Sequence, residues 1–269
     1  MSIQTLPPEQ DTVARWDSRA TAYDALCHRW PLFAEMADQL LHCIPHSATS
    51  IVDLAGGSGM VCERLLTLRP QARLTLMEPS TQMRQCAHRN LGGQVTIINA
   101  VASDTGPITA PVDAVVCSAA MHLLDEATVF QAVSTILRPG GTFAFNLWWH
   151  SYDETADRVL DPWWETVLAE EVHLAGFALP EPQPNTPRRR RTAAGLETCA
   201  ALHGFTVAAI DKLEYQTSAE LFVDFWDMNP KWLSHLGDQK QGAIARLRVR
   251  CGAPGVTIPV VRVVMHKKR

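Results

Sequence analysis

The sequence contains little charge and no long apolar run. Of its 269 residues, 19% are charged and 46% are hydrophobic, a balance that excludes disorder over most of the chain. The longest apolar stretches, such as residues 143–149, are far shorter than the roughly 20 residues that a membrane helix requires. Residues 1–11 contain neither the basic nor the apolar segment of a secretory signal. These absences predict a cytoplasmic protein with no membrane-spanning helix.

Paired cysteines are also absent. The sequence has seven cysteines, an odd number, and no two of them form a C-x-x-C pair. This spacing argues against both a disulfide framework and a zinc knuckle, so no metal site is predicted. We expect the cysteines to behave as small buried side chains.

Charge is distributed unevenly along the chain. Residues 1–187 hold ten basic and 21 acidic side chains, whereas residues 188–269 hold 14 basic and seven acidic ones. Eight basic residues and no acidic one lie in 240–269, a stretch that would attract an anionic substrate or an acidic carrier protein. A solvated surface is the alternative interpretation. The arginine run 188–191 is predicted to be an exposed loop, with anion binding as its alternative.

Short apolar runs alternate with segments of helical periodicity in the first half of the chain. This alternation predicts right-handed crossovers and a parallel sheet with helices on both faces. The predicted strands are 50–54, 73–77, 95–98, 112–117 and 142–147.

The segments on either side complete the predicted architecture. Residues 11–44 are predicted to form two helices that are separated at Pro31, and the later strands are 205–215 and 256–265, with a helical insertion at 218–250. The result is one α/β domain over residues 1–269 with a Rossmann-like, mostly parallel sheet of seven strands. Its predicted parts are a helical lid (1–45), a ligand-binding core (46–147), and a cap with the closing strands (148–269).

A glycine-rich turn comes after the first predicted strand. It reads Val52-Asp53-Leu54-Ala55-Gly56-Gly57-Ser58-Gly59 and leads into a helix. Glycine lets the backbone pass close to a ligand, and the free N–H groups of a helix start favour bound polar groups. A dinucleotide site needs G-x-G-x-x-G, but the last position is Met60 in one register and Cys62 in the other. An NAD-dependent oxidoreductase is therefore the less favoured interpretation.

The pattern D-x-A-x-G-x-G resembles motif I of the class I S-adenosylmethionine (SAM) dependent methyltransferases. Glu78, about 20 residues after the turn, is similar to the family's ribose-binding acid, and residues 77–83 look like its acidic-x-S-x-x-M segment. Residues 113–123, 137–141 and 15–24 resemble further family segments, the last being the helix that closes over SAM. The resemblance implies a SAM site formed by Tyr23, Asp53, Ala55, Gly56, Gly57, Gly59, Glu78, Pro79, Met83, Val101, Ala102 and Cys117.

Two positions depart from the family pattern. Ala55 replaces the first glycine of the turn, and Val101 stands where the family often has an aspartate that binds the adenine amino group. Adenine recognition is then expected from backbone groups near Val101 and Ala102. Asn99 and Asp104 are the alternatives.

The residues directly after the fourth strand bear on the substrate class. Residues 117–120 read C-S-A-A rather than the [N/D/S]-P-P-aromatic string of the methyltransferases that act on bases or glutamine, and the net charge is −4. Nucleic acid is therefore disfavoured as a substrate. None of the eight tryptophans lies between residues 31 and 147, so they concentrate in the flanking segments, which suits a flat apolar molecule or an amine.

We predict a SAM-dependent methyltransferase that methylates an O, N or C atom of a small molecule, in secondary metabolism. The alternatives are a SAM-fold protein that uses the cofactor structurally, as a cyclase or without chemistry, and the oxidoreductase. Methyl transfer sometimes uses a base, and the histidines after the fourth and fifth strands are candidates, with His28 as a third. The predicted catalytic residues are His122 and His150, and the predicted substrate-binding residues are His28, Trp30, Met121, Trp148 and Trp149.

Overall fold

The structure is a computed structural model that describes residues 9–109, 111–148, 151–153, 170, 173–174, 191–228, 234–250 and 256–269. Several sequence predictions lie outside these residues. They concern Trp149, His150, residues 163 and 164, and arginines 188–190.

Helices and strands alternate through the first half of the chain, as the sequence predicts. The helices are α1 (Glu9–Arg29), α2 (Pro31–Leu41), α3 (Met60–Leu68), α4 (Thr81–Leu91), α5 (Glu126–Ile136), α6 (Ala193–Leu202), α7 (Ala219–Asp227) and α8 (Lys240–Arg250). The strands are β1 (Ser50–Leu54), β2 (Arg73–Met77), β3 (Thr96–Ile98), β4 (Val112–Cys117), β5 (Leu137–Trp148), β6 (Phe205–Thr217) and β7 (Val256–Lys267). Short 3₁₀ helices lie at Met121–Leu123 and Ser234–Gln239.

The strands form one seven-stranded sheet in the order β3-β2-β1-β4-β5-β7-β6. The pairs from β3 to β5 are parallel, and β7 runs antiparallel to both β5 and β6. All five residues of β1 are buried, which is typical of a central strand that helices cover on both faces. The predicted Rossmann-like, mostly parallel sheet is confirmed.

Polar side chains cap several of the helices. The Ser80 hydroxyl accepts a hydrogen bond from the backbone N–H of Met83 at 3.1 Å, and the Asp125 carboxylate accepts one from that of Thr128 at 3.1 Å. Each bond satisfies an N–H group that has no partner within its helix. The local sequence therefore sets where α4 and α5 begin.

Three strands are longer than the sequence pattern predicts. β5 begins at Leu137 rather than 142, because Leu137 pairs with Val112 before an irregularity in the ladder and Thr142 then pairs with Ala114. Gly140, at φ 75°, has the left-handed backbone that this irregularity requires. β6 and β7 extend to Thr217 and Lys267 because they pair with each other along their whole length.

The arginine run also differs from its prediction as an exposed loop. Its last member, Arg191, is only 6% exposed, and its backbone N–H donates to the carbonyl of Ser151 at 3.0 Å. The backbone N–H of Asp153 donates to the Arg191 carbonyl at 2.7 Å. These backbone bonds bring Arg191 next to residues that come about 40 positions earlier in the chain.

One edge of the parallel part of the sheet faces helix α1. The carboxyl ends of β1, β2 and β4 open on the same side, as in other parallel α/β sheets.

In the part of the chain that the structure describes, no helix has the length and apolar character needed to span a membrane.

Candidate functional site

A cleft of about 910 Å³ of atom-free space, partly open to solvent, lies over the carboxyl ends of the parallel strands. One side is the glycine-turn wall, defined as Asp53, Ala55, Gly56, Gly57, Ser58, Met60, Val61, Glu78, Pro79 and Met83. The loop wall consists of Ser118, Ala119, Ala120, Leu123 and Leu124. The helical side consists of Thr12, Val13, Trp16, Tyr23, Cys27 and Phe33.

Backbone bonds shape the glycine turn. The N–H of Gly56 donates to the carbonyl of Met77 at 3.1 Å, and the N–H of Gly59 donates to the carbonyl of Gly56 at 2.9 Å. A Cβ at Gly56 would lie 2.7 Å from both Asp53 Oδ2 and Leu76 Cγ, so a side chain cannot fit there without displacement. Ala55 has a left-handed backbone, φ 54°, where glycine is usual. The family's first glycine is thus replaced by alanine in a conformation that costs alanine energy.

Glu78 lies at the end of β2 and faces the turn. Its Oε2 accepts a hydrogen bond from the N–H of Gly57 at 3.0 Å, and its Oε1 accepts one from the N–H of Ser80 at 2.8 Å. Burial raises the pKa of the carboxyl, and these two bonds offset only part of the increase. A carboxylate oxygen can accept two hydrogen bonds, so each oxygen of Glu78 retains capacity for a ligand hydroxyl.

Asp53, at the end of β1, is the second buried carboxyl in the cleft. It is 1% exposed, and burial raises its pKa from 3.8 to about 7, with Glu78 adding to the increase. Its Oδ2 accepts a hydrogen bond from the Cys62 thiol at 3.6 Å. Its Oδ1 has no hydrogen-bond partner within the residues that the structure describes. A buried carboxylate oxygen without a partner is costly, so this position fits a ligand that donates a hydrogen bond.

The loop wall is fixed by a side chain from the neighbouring strand. The Asn146 side chain on β5 accepts a hydrogen bond from the N–H of Ala119 at 2.6 Å through Oδ1. Because a backbone N–H can only donate, this bond also sets the orientation of the amide, and Nδ2 then donates to the Ser118 hydroxyl at 3.3 Å. Ala119 has φ 55°, a second alanine with a left-handed backbone beside the cleft.

The comparisons with known proteins agree with this arrangement. A family model described as a methyltransferase domain matches residues 51–141. Trans-aconitate 2-methyltransferase of Azoarcus sp. is 34% identical over 150 residues, which are 55% of this chain and 57% of that protein. These matches support the assignment of residues 51–141 to the class I SAM-dependent methyltransferase family. Curated relatives are matched over only part of their length, namely 57%, 63% and 38% for three of them.

Solved structures of this family share the fold. One chain of the Haloferax volcanii complex between the Trm112 methyltransferase activator and a methyltransferase matches with a TM-score of 0.58 at 18% identity, over 94% of this chain and 98% of that chain. Geranyl diphosphate C-methyltransferase of Streptomyces coelicolor, solved with Mg²⁺, geranyl diphosphate and S-adenosylhomocysteine, gives a TM-score of 0.50 at 12% identity, over 87% of this chain and 79% of that chain. Identities this low show a common fold and nothing finer.

Helix α1 crosses the cleft, and side-chain contacts attach it to α3 and α4. The Asp17 carboxylate accepts hydrogen bonds from the Ser80 hydroxyl at 2.5 Å and from the N–H of Gln82 at 3.0 Å. The Asn90 amide donates to Asp24 at 2.9 Å. At the end of α1, Nε2 of His28 lies 3.1 Å from the Glu63 carboxylate on α3. The lid helix is therefore attached to both helices that come after the glycine turn and β2.

The structure brings together eight of the twelve residues that the resemblance assigns to the cofactor. Those that line the cleft are Tyr23, Asp53, Ala55, Gly56, Gly57, Glu78, Pro79 and Met83. The other four do not line it. Gly59 is the N-cap of α3 at φ 99°, Ala102 and Cys117 are buried in the core, and Val101 is half-buried beside Ala102. Their direct contact with SAM stays a prediction.

Of the residues predicted to bind substrate, the four that the structure describes lie beside the cleft rather than in its lining. Trp30 is buried and its indole N–H donates to the Thr217 hydroxyl. Trp148 packs edge-to-face on Phe33 at 6.3 Å between ring centroids. Met121 is buried in the core, and His28 contacts α3. His122 is half-buried in the 3₁₀ helix after β4, next to the lining residue Leu123.

Other lining residues were not predicted from the sequence. On α1, residues 12, 16, 20, 23 and 27 are spaced by three or four and form one stripe, which contains four residues of the cleft lining. Extending this stripe in both directions from Tyr23 would have identified Trp16 and Cys27. Phe33, by contrast, packs edge-to-face on Tyr23 at 5.4 Å between ring centroids, a contact between helices that no local pattern indicates.

Proposed function

We propose that the protein binds SAM in this cleft and transfers its methyl group to a small-molecule acceptor. The observation that carries the proposal is a pair of buried carboxyls, Asp53 and Glu78, at the ends of adjacent parallel strands on either side of a glycine turn. One has an oxygen that lacks a hydrogen-bond partner among the described residues, and the other has acceptor capacity left. A ligand with an ammonium group and a ribose diol satisfies both.

The residues that line the cleft have separate tasks in this proposal. Glu78 accepts hydrogen bonds from the ribose hydroxyls, Asp53 accepts one from the ammonium group, and Pro79 and Met83 pack against the adenine. When bound, SAM supplies an electrophilic methyl group on a sulfonium. The sulfonium charge is dispersed as the methyl group leaves, so exclusion of water assists the reaction. The rings of Trp16 and Phe33 and the side chain of Leu123 line the cleft, and in this proposal they would exclude that water once the ligands are bound.

We propose an acceptor that is largely apolar rather than a polycarboxylate. The relative from Azoarcus is named for trans-aconitate, a tricarboxylic acid. Among the described residues that line the cleft, the charged side chains are the two carboxyls, and there is no Arg, Lys or His to pair with substrate carboxylates. Aromatic and aliphatic side chains predominate there, which favours a flat neutral molecule or an amine. Catechol, tryptamine and trans-aconitate make a discriminating set of acceptors.

Several finer predictions remain part of this proposal. His122 and His150 are the candidate bases, residues 1–269 are proposed to form one domain, and the acceptor is assigned to secondary metabolism in the cytoplasm. An acidic carrier protein is the least supported element. Arg248 pairs with Asp224 and Asp227, and Lys267 donates to the carbonyls of Ser134 and Leu137, so part of the basic C-terminal stretch is engaged within the chain.

Calorimetric titration with SAM, S-adenosylhomocysteine and NADH tests the cofactor. We expect micromolar binding of both sulfur compounds and no binding of NADH. Gly57→Val should weaken binding by about 100-fold or more, because Gly57 lines the cleft and an added side chain would occupy ligand space. Gly92→Val is the matched control, since both glycines have φ 55° and open space around a built Cβ, but Gly92 caps α4 away from the lining.

Glu78→Ala should also remove most of the affinity for S-adenosylhomocysteine. If Gly57→Val and Glu78→Ala both bind as well as the wild type, the assigned site is wrong. Methyl transfer itself is tested by S-adenosylhomocysteine formation with catechol, tryptamine and trans-aconitate. Cofactor binding without turnover of any acceptor would favour the structural or cyclase alternative, and a preference for trans-aconitate would contradict the apolar acceptor.

A further inference from the structure

Arg191 is a buried charged residue close to the cleft but outside its lining. Its side chain is 5% exposed, and it forms an ion pair with Glu126, whose side chain is 7% exposed. Glu126 lies in the first turn of α5, directly after the loop that connects β4 to this helix. Arg191 itself comes 50 residues after the end of the family match at 141. The contact therefore joins a residue outside the matched segment to Glu126 within it.

The guanidinium of Arg191 also contacts the backbone of the loop wall. Its NH2 group donates hydrogen bonds to the carbonyl of Met121 at 3.0 Å and to the carbonyl of Leu124 at 3.0 Å. These carbonyls belong to the two ends of the short turn that presents Leu123 and Leu124 to the cleft. A planar, rigid fork of donors fixes the separation of its acceptors, which a lysine ammonium does not.

The other end of the loop wall has its own support. Asn146 bonds the N–H of Ala119 and the hydroxyl of Ser118, so the first residues of the wall are fixed from β5. Residues 121–124 are fixed from the opposite side by Arg191. The loop wall is therefore supported by side-chain hydrogen bonds at both of its ends.

We propose that Arg191 is a positioning residue that acts through the carbonyls of Met121 and Leu124 to set the width of the cleft for the cofactor. The inference rests on the proposed function, because it assumes that the cleft binds SAM. Removal of one charge from a buried pair leaves the other charge without compensation. For that reason the test keeps the positive charge and changes only the shape of the donor group.

The experiment measures S-adenosylhomocysteine affinity by calorimetry in Arg191→Lys, with thermal unfolding of the same sample. Arg262→Lys is the matched control. Arg262 also pairs with a carboxylate, Asp211, and donates to a backbone carbonyl, that of Gln39 at 3.0 Å, but none of these residues lines the cleft. We expect Arg191→Lys to weaken binding by about tenfold and Arg262→Lys by less than about twofold. A general loss of stability does not change the affinity measured well below the unfolding midpoint, because nearly all protein is then folded.

A second variant covers the case in which Arg191→Lys does not fold. The double variant Arg191→Gln with Glu126→Gln removes both charges and leaves neutral amides, and it should show the same loss of affinity. Binding within about twofold of the wild type in a folded variant would overturn the proposal. So would failure of both variants to fold, which would make Arg191 a purely structural residue. If the wild type itself binds no S-adenosylhomocysteine, the proposed function fails and the inference falls with it.

Discussion

The two walls of the cleft are built in different ways. The glycine-turn wall comes from two short stretches, residues 53–61 and 78–83, and its shape is set by bonds within and between them, such as that from Gly57 to Glu78. The loop wall spans seven residues, but its position depends on Asn146, 27 residues from Ala119, and on Arg191, 70 residues from Met121. Local backbone geometry determines the first wall, and tertiary contacts determine the second.

This difference explains why the decisive motif of the family resemblance lies in the glycine-turn wall, although residues 113–123 also resemble a family segment. A glycine turn must keep its spacing because backbone atoms approach the ligand directly, so its residues are recognisable in one sequence. Contacts between distant side chains leave no fixed spacing along the chain. Specificity for an acceptor is expected to depend on the second wall, where this chain can differ from its relatives without changing the turn.

The largest effect is expected at Asp53, in the glycine-turn wall. Its pKa is raised from 3.8 to about 7 by burial, so the folded state binds a proton more tightly than the unfolded chain. The free energy of unfolding should therefore fall as pH rises from about 4 to about 7, by up to about 4 kcal/mol. Asp53→Asn should remove most of this fall, which chemical denaturation at several pH values would measure.

Asp113 gives the comparison for that measurement. Burial raises its pKa, but the N–H groups of Thr49 and Ser50 and the guanidinium of Arg138 outweigh burial and lower it overall. Its contribution to stability is present above the unfolded-state pKa and is lost as pH falls through the lower folded-state value. Asp113→Asn should therefore remove a loss of stability that occurs as pH falls, whereas Asp53→Asn removes a loss of stability that occurs as pH rises. Identical pH profiles for wild type and Asp53→Asn would contradict the buried, proton-binding carboxyl.

Asn146→Leu tests the loop wall and should have the next largest effect. It removes the acceptor for the N–H of Ala119, which is held in a left-handed conformation, and it leaves the Ser118 hydroxyl without its donor. The loss of stability should be about 1 kcal/mol, because a half-buried backbone donor loses its acceptor. Denaturant unfolding measures it. Asn99→Leu, at an exposed position, should cost less than about 0.5 kcal/mol.

If the two walls are independent, Asn146→Leu will leave the pH dependence that Asp53 produces unchanged. A double variant with Asp53→Asn should then lose stability by the sum of the two single effects, within about 0.5 kcal/mol. A larger departure from additivity would mean that the walls are coupled, and the comparison between them would have to be abandoned.

The sequence predicted most of the fold and eight of the 21 described residues that line the cleft. Strands β1, β2 and β4 were predicted with the bounds that the structure has, because a continuous apolar run between turn residues marks a buried strand. Trp30 shows a limit of prediction from the sequence. Its position on the N-terminal side suggested substrate contact, but its ring is covered by Phe222 and Phe225 of α7. Arg191 shows the same limit. Four consecutive arginines suggest an exposed loop, but Arg191 is buried where it pairs with the buried carboxylate of Glu126, 65 residues away in sequence.

The smallest expected effect concerns the attachment of the lid to the glycine-turn side of the cleft. Burial lowers the pKa of His28, but its bond to the Asp24 carbonyl and the charges of Glu63 and Asp24 outweigh burial and raise it overall. A raised folded-state pKa stabilises the protein below the unfolded-state value of 6.5, and this stabilisation is lost as pH rises through the folded-state value. His28 is 42% exposed, so solvent screens the pair and His28→Gln should cost at most about 0.5 kcal/mol at pH 5 and nothing at pH 9.

S-adenosylhomocysteine affinity that weakens with rising pH in the wild type but not in His28→Gln would show that the lid's attachment to α3 contributes to the site. The same pH dependence of affinity in the two proteins would show that the His28 contact does not contribute to the site.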